Sequence, residues 1–140
     1  MKTKQKIILV RGTCGAGKSY WINQQLKEHE QVIDFSKMLD MDWQLRPAAA
    51  VKMIDPNAKT VYIEAIFGLG SPSYLDIVDR LKLLKVKVFQ VLVHRSYEDC
   101  KAGIKQGDPD KAEKRIEILD KYWGTFDDVK SQSGKISKVF

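Results

Sequence analysis

Two kinds of apolar pattern take turns along the chain. Short unbroken apolar runs recur, and between them lie stretches in which apolar residues return every three or four positions. Lys6 to Val10, with its two isoleucines and a valine, is the first run and reads as a strand buried on both faces. Ser19 to Glu30 then reads as a helix anchored by Tyr20, Trp21 and Leu26, and Gln31 to Phe35 contains a second strand ending at Asp34. Ser36 to Ile54 reads as two helical pieces divided by Pro47, because proline suits the first turn of a helix and disrupts its interior. Thr60 to Phe67 is a third strand, broken by Gly68, Gly70 and Ser71. Ser71 caps a helix opened by Pro72, whose expected apolar face is Tyr74, Leu75, Val78, Leu81 and Leu84. Val86 to Val93 is a further strand. Ser96 caps the next helix, Asp99 completes a capping-box pattern, and Gly107 ends it. Asp108-Pro109 begins a last helix that runs to about Trp123 and stops at Gly124, and Ile136 to Phe140 forms a short final strand.

Strands alternating with helices predict an α/β chain: a mostly parallel sheet of about five strands between two helical layers. Ligands of such sheets sit beyond the carboxyl ends of the strands. Attention therefore falls on Arg11 to Ser19, Asp34 to Lys37, Glu64 to Gly70, and His94 to Arg95. A length of 140 residues fits one domain, 1–140, and 44% hydrophobic residues suffice for a core. The formal net charge of +6 suits a phosphate-bearing partner without choosing among nucleotide, polynucleotide and anionic membrane. The two cysteines, Cys14 and Cys100, and two histidines, His29 and His94, lack the clustering of a zinc centre, and a disulfide is not expected. The apolar run before Arg11 is too short for a signal peptide or a membrane span, so a cytoplasmic protein without membrane partners is expected. Nothing in the pattern indicates an oligomeric state.

The sharpest chemistry follows the first strand. Gly12-Thr13-Cys14-Gly15-Ala16-Gly17-Lys18-Ser19 matches G-x-x-x-x-G-K-[ST] at every fixed position. Glycines permit positive φ and let backbone N–H groups converge on an anion, and the helix that follows adds its positive end. Lys18 then meets the β- and γ-phosphates of ATP, and the Ser19 hydroxyl ligates Mg²⁺. Cys14, among these N–H groups and near Lys18, would be biased towards a thiolate, although a small loop residue explains it as well. Glu64 lies in the apolar run Val61 to Ile66, where a carboxylate is costly unless paired or facing a cation such as Mg²⁺. No N-K-x-D guanine motif is present, and the chain is short for a motor ATPase. A small phosphotransferase fits.

The run IILVRGTCGAGKSYW resembles the opening of the polynucleotide kinase and zeta-toxin-like small P-loop kinases. Those begin with a strand, often an Arg before the loop, and a G-x-P-G-S-G-K-S-T-like loop. The likeness extends more loosely to an acid after the second strand, an acid on the third and a charged lid helix after the fourth. It implies a three-layer P-loop NTPase fold with ATP and Mg²⁺ as cofactors. It also implies that Asp34 is the general base on the acceptor hydroxyl, that Glu64 helps hold the metal, and that residues 95–115 form the lid. That segment carries Arg95, Lys101, Lys105, Lys111, Lys114 and Arg115; Arg95 is the best arginine candidate for catalysis because it follows a strand directly. The chain departs from these relatives in having Gly103 and Gly107 near the places where they carry lid arginines. Trp43 and Arg46 stand where an acceptor would be covered, as a stacking platform and a phosphate clamp or as a core tryptophan and a surface arginine. Three readings follow: a kinase acting on a polynucleotide 5′-hydroxyl, a nucleoside or nucleotide kinase with a small acceptor, and a non-catalytic ATP-binding module.

Overall fold

β1 (Lys6–Arg11) runs through the middle of a five-stranded sheet, between β3 (Thr60–Ala65) and β4 (Lys87–Leu92), both parallel to it. The computed structural model describes residues 5–38, 40–66, 71–123 and 134–140. β2 (Glu30–Asp34) lies outside β3, also parallel, and β5 (Ile136–Lys138) pairs antiparallel with β4, so the strand order is β2-β3-β1-β4-β5. An α/β chain with a mostly parallel five-stranded sheet is therefore what the alternation of patterns predicts and what forms.

The unbroken apolar run of β1 has the expected cause. Ile7 and Leu9 point to one face of the sheet, into a core shared with α2 (Arg46–Met53) and α3 (Pro72–Lys82). Ile8 and Val10 point to the other, against Ile22 of α1 (Lys18–Gln25). A third apolar cluster joins Ala16 of the glycine-rich loop to Cys100 and Ile104 of α4 (Tyr97–Gln106) and Leu119 of α5 (Pro109–Tyr122). That cluster docks the α4–α5 pair directly against the loop.

Several element limits differ from the sequence reading. α1 ends at Gln25 rather than Glu30: Leu26 is already extended, His29 takes a left-handed φ of 64°, and Glu30 joins β2. Residues 27–30 offer no apolar side chain to bury, so tertiary packing gives the helix nothing to extend for. The anchor of α1 is Ile22; Tyr20 and Leu26 are exposed. On α3 the buried stripe is Tyr74, Ile77 and Leu81, spaced i, i+3, i+7, whereas Leu75 and Leu84 face outward. The stretch after β2 forms two short 3-10 helices, Phe35–Met38 and Trp43–Leu45, before α2, with Pro47 in its first turn. Caps follow the reading closely: Ser71, Ser96 and Asp108 accept from the backbone N–H groups of Tyr74, Asp99 and Asp110. The expected ends at Phe67 and Gly124 lie outside the described residues.

Candidate functional site

Parallel register places the loop and two carboxylates at one edge. Asp34 stands beside Glu64 across the β2–β3 ladder, and Glu64 beside Val10 across β3–β1, one residue before Arg11 and the loop. Glu64 is only 7% exposed, and the Ser19 hydroxyl reaches it from the first turn of α1, donating at 2.9 Å to one carboxylate oxygen and lying 3.2 Å from the other. Burial pushes the Glu64 carboxyl above its ordinary value and the nearby Asp34 adds to the push; Ser19, Lys18 and Lys37 oppose it. Asp34 Oδ1 accepts from the Ser36 N–H at 2.9 Å, so it also caps the turn after β2.

Lys18 arches back over the loop and donates to the carbonyls of Gly12 and Thr13, at 2.9 Å each. Burial lowers its pKa, while Glu64, Cys14, Asp34 and Cys100 favour the charged form. The loop thus sets one ammonium beside a helix N-terminus, charges of the sign that suits an oxyanion. The Thr13 hydroxyl is buried and finds no hydrogen-bond partner among the described residues. Ser19 and Glu64 are hard oxygen donors of the kind Mg²⁺ takes. No group of three or more His, Cys, Asp or Glu suited to a metal occurs among the described residues.

Two features explain why α4 lies where it does. Gly15 has φ of 79°, and a Cβ there would stand 2.4 Å from the Cys100 carbonyl oxygen, so only glycine lets α4 approach the loop this closely. Gly17 has φ of 91°, and a Cβ there would meet the Arg95 guanidinium at 2.7 Å. That guanidinium also lies 3.9 Å from the position a Gly103 Cβ would take. Arg95 is therefore seated between the loop and α4, in space that two glycines leave open. Beside it a cleft of about 200 Å³ is lined by Gly17, Tyr20, Trp21 and His94, with Trp123 stacked on His94 at 5.3 Å between ring centroids.

No protein-family model and no curated protein matches the chain by sequence. Among solved structures it is similar to a chain in the Pnkp1/Rnl/Hen1 RNA repair complex, at a TM-score of 0.54 and 15% identity over 91% of this chain. It is also similar to APE1195, at a TM-score of 0.57 and 14% identity, covering 94% of this chain and 80% of that one. The chain spans about half, 48%, of the RNA-repair chain's length. These likenesses are in fold.

Lys18, Ser19, Asp34 and Glu64 are thus brought together, with the Arg95 guanidinium against Gly17 of the loop. Other expectations are corrected. The Cys14 thiol is not biased to a thiolate: burial raises its pKa, outweighing the pull of Lys18 and Arg115. Lys101 and Lys105 do share a stripe of α4, but Cys100, Gly103 and Ile104 are the residues of α4 that meet the loop. Trp43 is 49% exposed rather than core, and Arg46 Nε donates to the Met41 carbonyl. Arg11, before the loop, is 1% exposed and donates to the Gln90 side chain at 2.7 Å, tying β1 to β4. The ring-lined cleft escaped the sequence reading, because Tyr20 and His94 meet there only through the β1–β4 pairing. No helix of the described residues is long and apolar enough to cross a membrane.

Proposed function

We propose that the chain is a P-loop phosphotransferase that moves the γ-phosphoryl group of ATP to a hydroxyl, with the 5′-hydroxyl of a polynucleotide as the acceptor. The observation that carries the reading is the meeting of Ser19 and Glu64 directly below a loop of matching sequence, with Asp34 one strand away. The fold likeness to a chain of an RNA repair complex supports the acceptor class, as does the charge of +6.

In this reading the loop N–H groups and Lys18 hold the triphosphate, and the cleft beside Tyr20, His94 and Arg95 receives the base. Ser19 and Glu64 would hold Mg²⁺, which when bound neutralises β- and γ-phosphate oxygens. Asp34 orients the acceptor hydroxyl and takes its proton as the new O–P bond forms and ADP departs. Arg95, in its glycine-lined seat, stabilises charge on the transferring group. The α4–α5 pair covers the loop as a lid over 95–115. Exposed Trp43 offers a stacking surface for a base of the acceptor.

The test is transfer from γ-labelled ATP with Mg²⁺ to 5′-hydroxyl RNA, 5′-hydroxyl DNA, nucleosides and nucleoside monophosphates, each supplied separately. Label in a polynucleotide is the expected result. Label only in a small product moves the acceptor assignment, and saturable ATP binding without transfer to any acceptor refutes the phosphotransferase.

A further inference from the structure

The eight residues of α1 cover only part of the sheet face on which they lie. At helical rise they span about 12 Å, whereas the six residues of β1 run about 20 Å, so the amino-terminal ends of the strands stay open beyond Gln25. A second cleft, of about 170 Å³, lies there, lined by Trp21 and Tyr62 with Lys6, Lys27 and Ile136 around them. Alternation along the strands puts Lys6, Lys87 and Lys138 on this same face: Lys6 is the register partner of Lys87, and Lys138 that of Phe89. The Lys6 ammonium lies 5.7 Å from the centre of the half-buried Phe89 ring. All four lysines are exposed, and among the described residues none of them forms an ion pair. Glu30 is the one acid among the described residues that line the cleft. Its carboxylate is engaged, accepting from the Lys27 N–H at 2.6 Å and facing the Tyr62 hydroxyl.

We propose that this face binds the body of a single-stranded polynucleotide, with phosphates on Lys6, Lys27, Lys87 and Lys138 and a base in the cleft against Trp21. Strands β1, β4 and β5 are neighbours about 5 Å apart, so their three lysines spread over about 10 Å, and Lys27 adds a fourth next to the start of β2. One phosphate cannot meet a row of that width; successive phosphates of a chain can. Like charges set directly opposite each other, as Lys6 and Lys87 are, cost stability unless an anion lies between them. A ring beside the cations gives a single strand the stacking that any base satisfies. A lipid surface would ask for apolar side chains standing out past the lysines, and of the cleft's lining only Ile136 is both apolar and exposed. Lys6 opens β1 and Arg11 closes it, about 17 Å away, so this surface is separate from the glycine-rich loop and goes beyond the phosphotransferase reading.

The experiment measures fluorescence anisotropy of a 3′-labelled, 5′-phosphorylated single-stranded DNA over a range of salt, without nucleotide or Mg²⁺. Such a strand offers no 5′-hydroxyl, so failure here leaves the phosphotransferase reading standing. The full chain is compared with Lys87→Glu, with Lys87→Glu combined with Lys138→Glu, and with Lys52→Glu combined with Lys82→Glu. The last pair makes the same change of charge on α2 and α3, across the sheet. Thermal midpoints run alongside, and the single variant guards against misfolding of the double. The Lys87 and Lys138 pair is expected to weaken binding at least about tenfold and to flatten the salt dependence by about one unit of slope per lysine. The Lys52 and Lys82 pair should stay within about threefold of the unaltered chain. A strand of the same phosphate count with abasic sites throughout should bind about fivefold more weakly or worse, for want of a base in the cleft. Equal losses in the two pairs would reduce the effect to overall charge and overturn the surface. An abasic strand that binds as well as the intact one would overturn the base in the cleft. Binding to phosphatidylserine vesicles with none to the strand would give the face to a membrane and overturn the proposal.

Discussion

The Ser19 hydroxyl donates to the buried carboxylate of Glu64 at 2.9 Å, joining the first turn of α1 to the middle of the sheet. Burial, with Asp34 beside it, holds the carboxylate above its ordinary pKa, so it stands in a place that costs stability. Glu64→Gln keeps the shape and an acceptor for Ser19 but has no charge to desolvate. The expected result is a nucleotide-free thermal midpoint higher by about 2–4 °C, together with a several-fold rise in the Mg²⁺ needed for half-maximal transfer. Ser19→Ala should raise the Mg²⁺ requirement as well. A Mg²⁺ titration unchanged in both variants would remove this pair from the metal.

Lys18→Ala removes the ammonium that spans the Gly12 and Thr13 carbonyls. Transfer should be abolished and ATP affinity reduced by at least about tenfold, because no other side chain inside the loop carries charge. Isothermal titration and the labelled-ATP assay check it together. Near-normal transfer would refute the assignment of the loop.

Asp34 has a capping role that is seen and a catalytic role that is proposed, and two substitutions separate them. Asparagine can still accept from the Ser36 N–H, so Asp34→Asn should keep its thermal midpoint and its ATP affinity. Its turnover should nevertheless fall by about a hundredfold or more, the scale of a lost general base. Asp34→Ala should in addition lose about 1 kcal/mol of stability with its cap. A fully active Asp34→Asn protein would end the catalytic role.

Gly15→Ala tests the seat of α4. A methyl group there would be forced to a φ of 79° and to 2.4 Å from the Cys100 carbonyl oxygen, so α4 must withdraw from the loop. The strain alone is worth about 1–3 kcal/mol. Hydrogen exchange should quicken in α4 and α5 while the β1 and β3 amides keep their protection. Unaltered protection in α4 would show that the close approach is not maintained in solution.

The half-buried Cys14 thiol sets the sign of one pH dependence. Its pKa is raised in the folded chain, so the unfolded chain releases its proton first, and this group's contribution to stability declines as pH rises past about 8.5. In the native protein an alkylating reagent at about pH 7.5 should label Cys14 more slowly than it labels the urea-unfolded chain, with the rate climbing as pH is raised. Cys100, fully buried, should label only on unfolding. Rapid labelling of native Cys14 at neutral pH would contradict the burial that sets its pKa.

Some of this site is written locally in the chain. Gly15 and Gly17 need positive φ, Lys18 and Ser19 follow at fixed spacing, and the β1 run before them must be buried on both faces; each is a short-range demand that the residues themselves express. Glu64 was legible for a similar reason, since one carboxylate in the apolar run Val61 to Ile66 asks for a partner. Arg95 stood out as the residue after a strand, but its seat against Gly17 and Gly103 and the exposure of Trp43 were not legible. Where a guanidinium lands depends on how closely α4 approaches Gly15 and on the turn between α4 and α5, and both are settled by contacts between residues some 85 to 100 positions apart. The length of α1 and the outward face of Leu75 were decided in the same way. Periodicity marks which positions could be buried, but the neighbouring element determines which stripe meets a surface and where a helix stops having anything to cover.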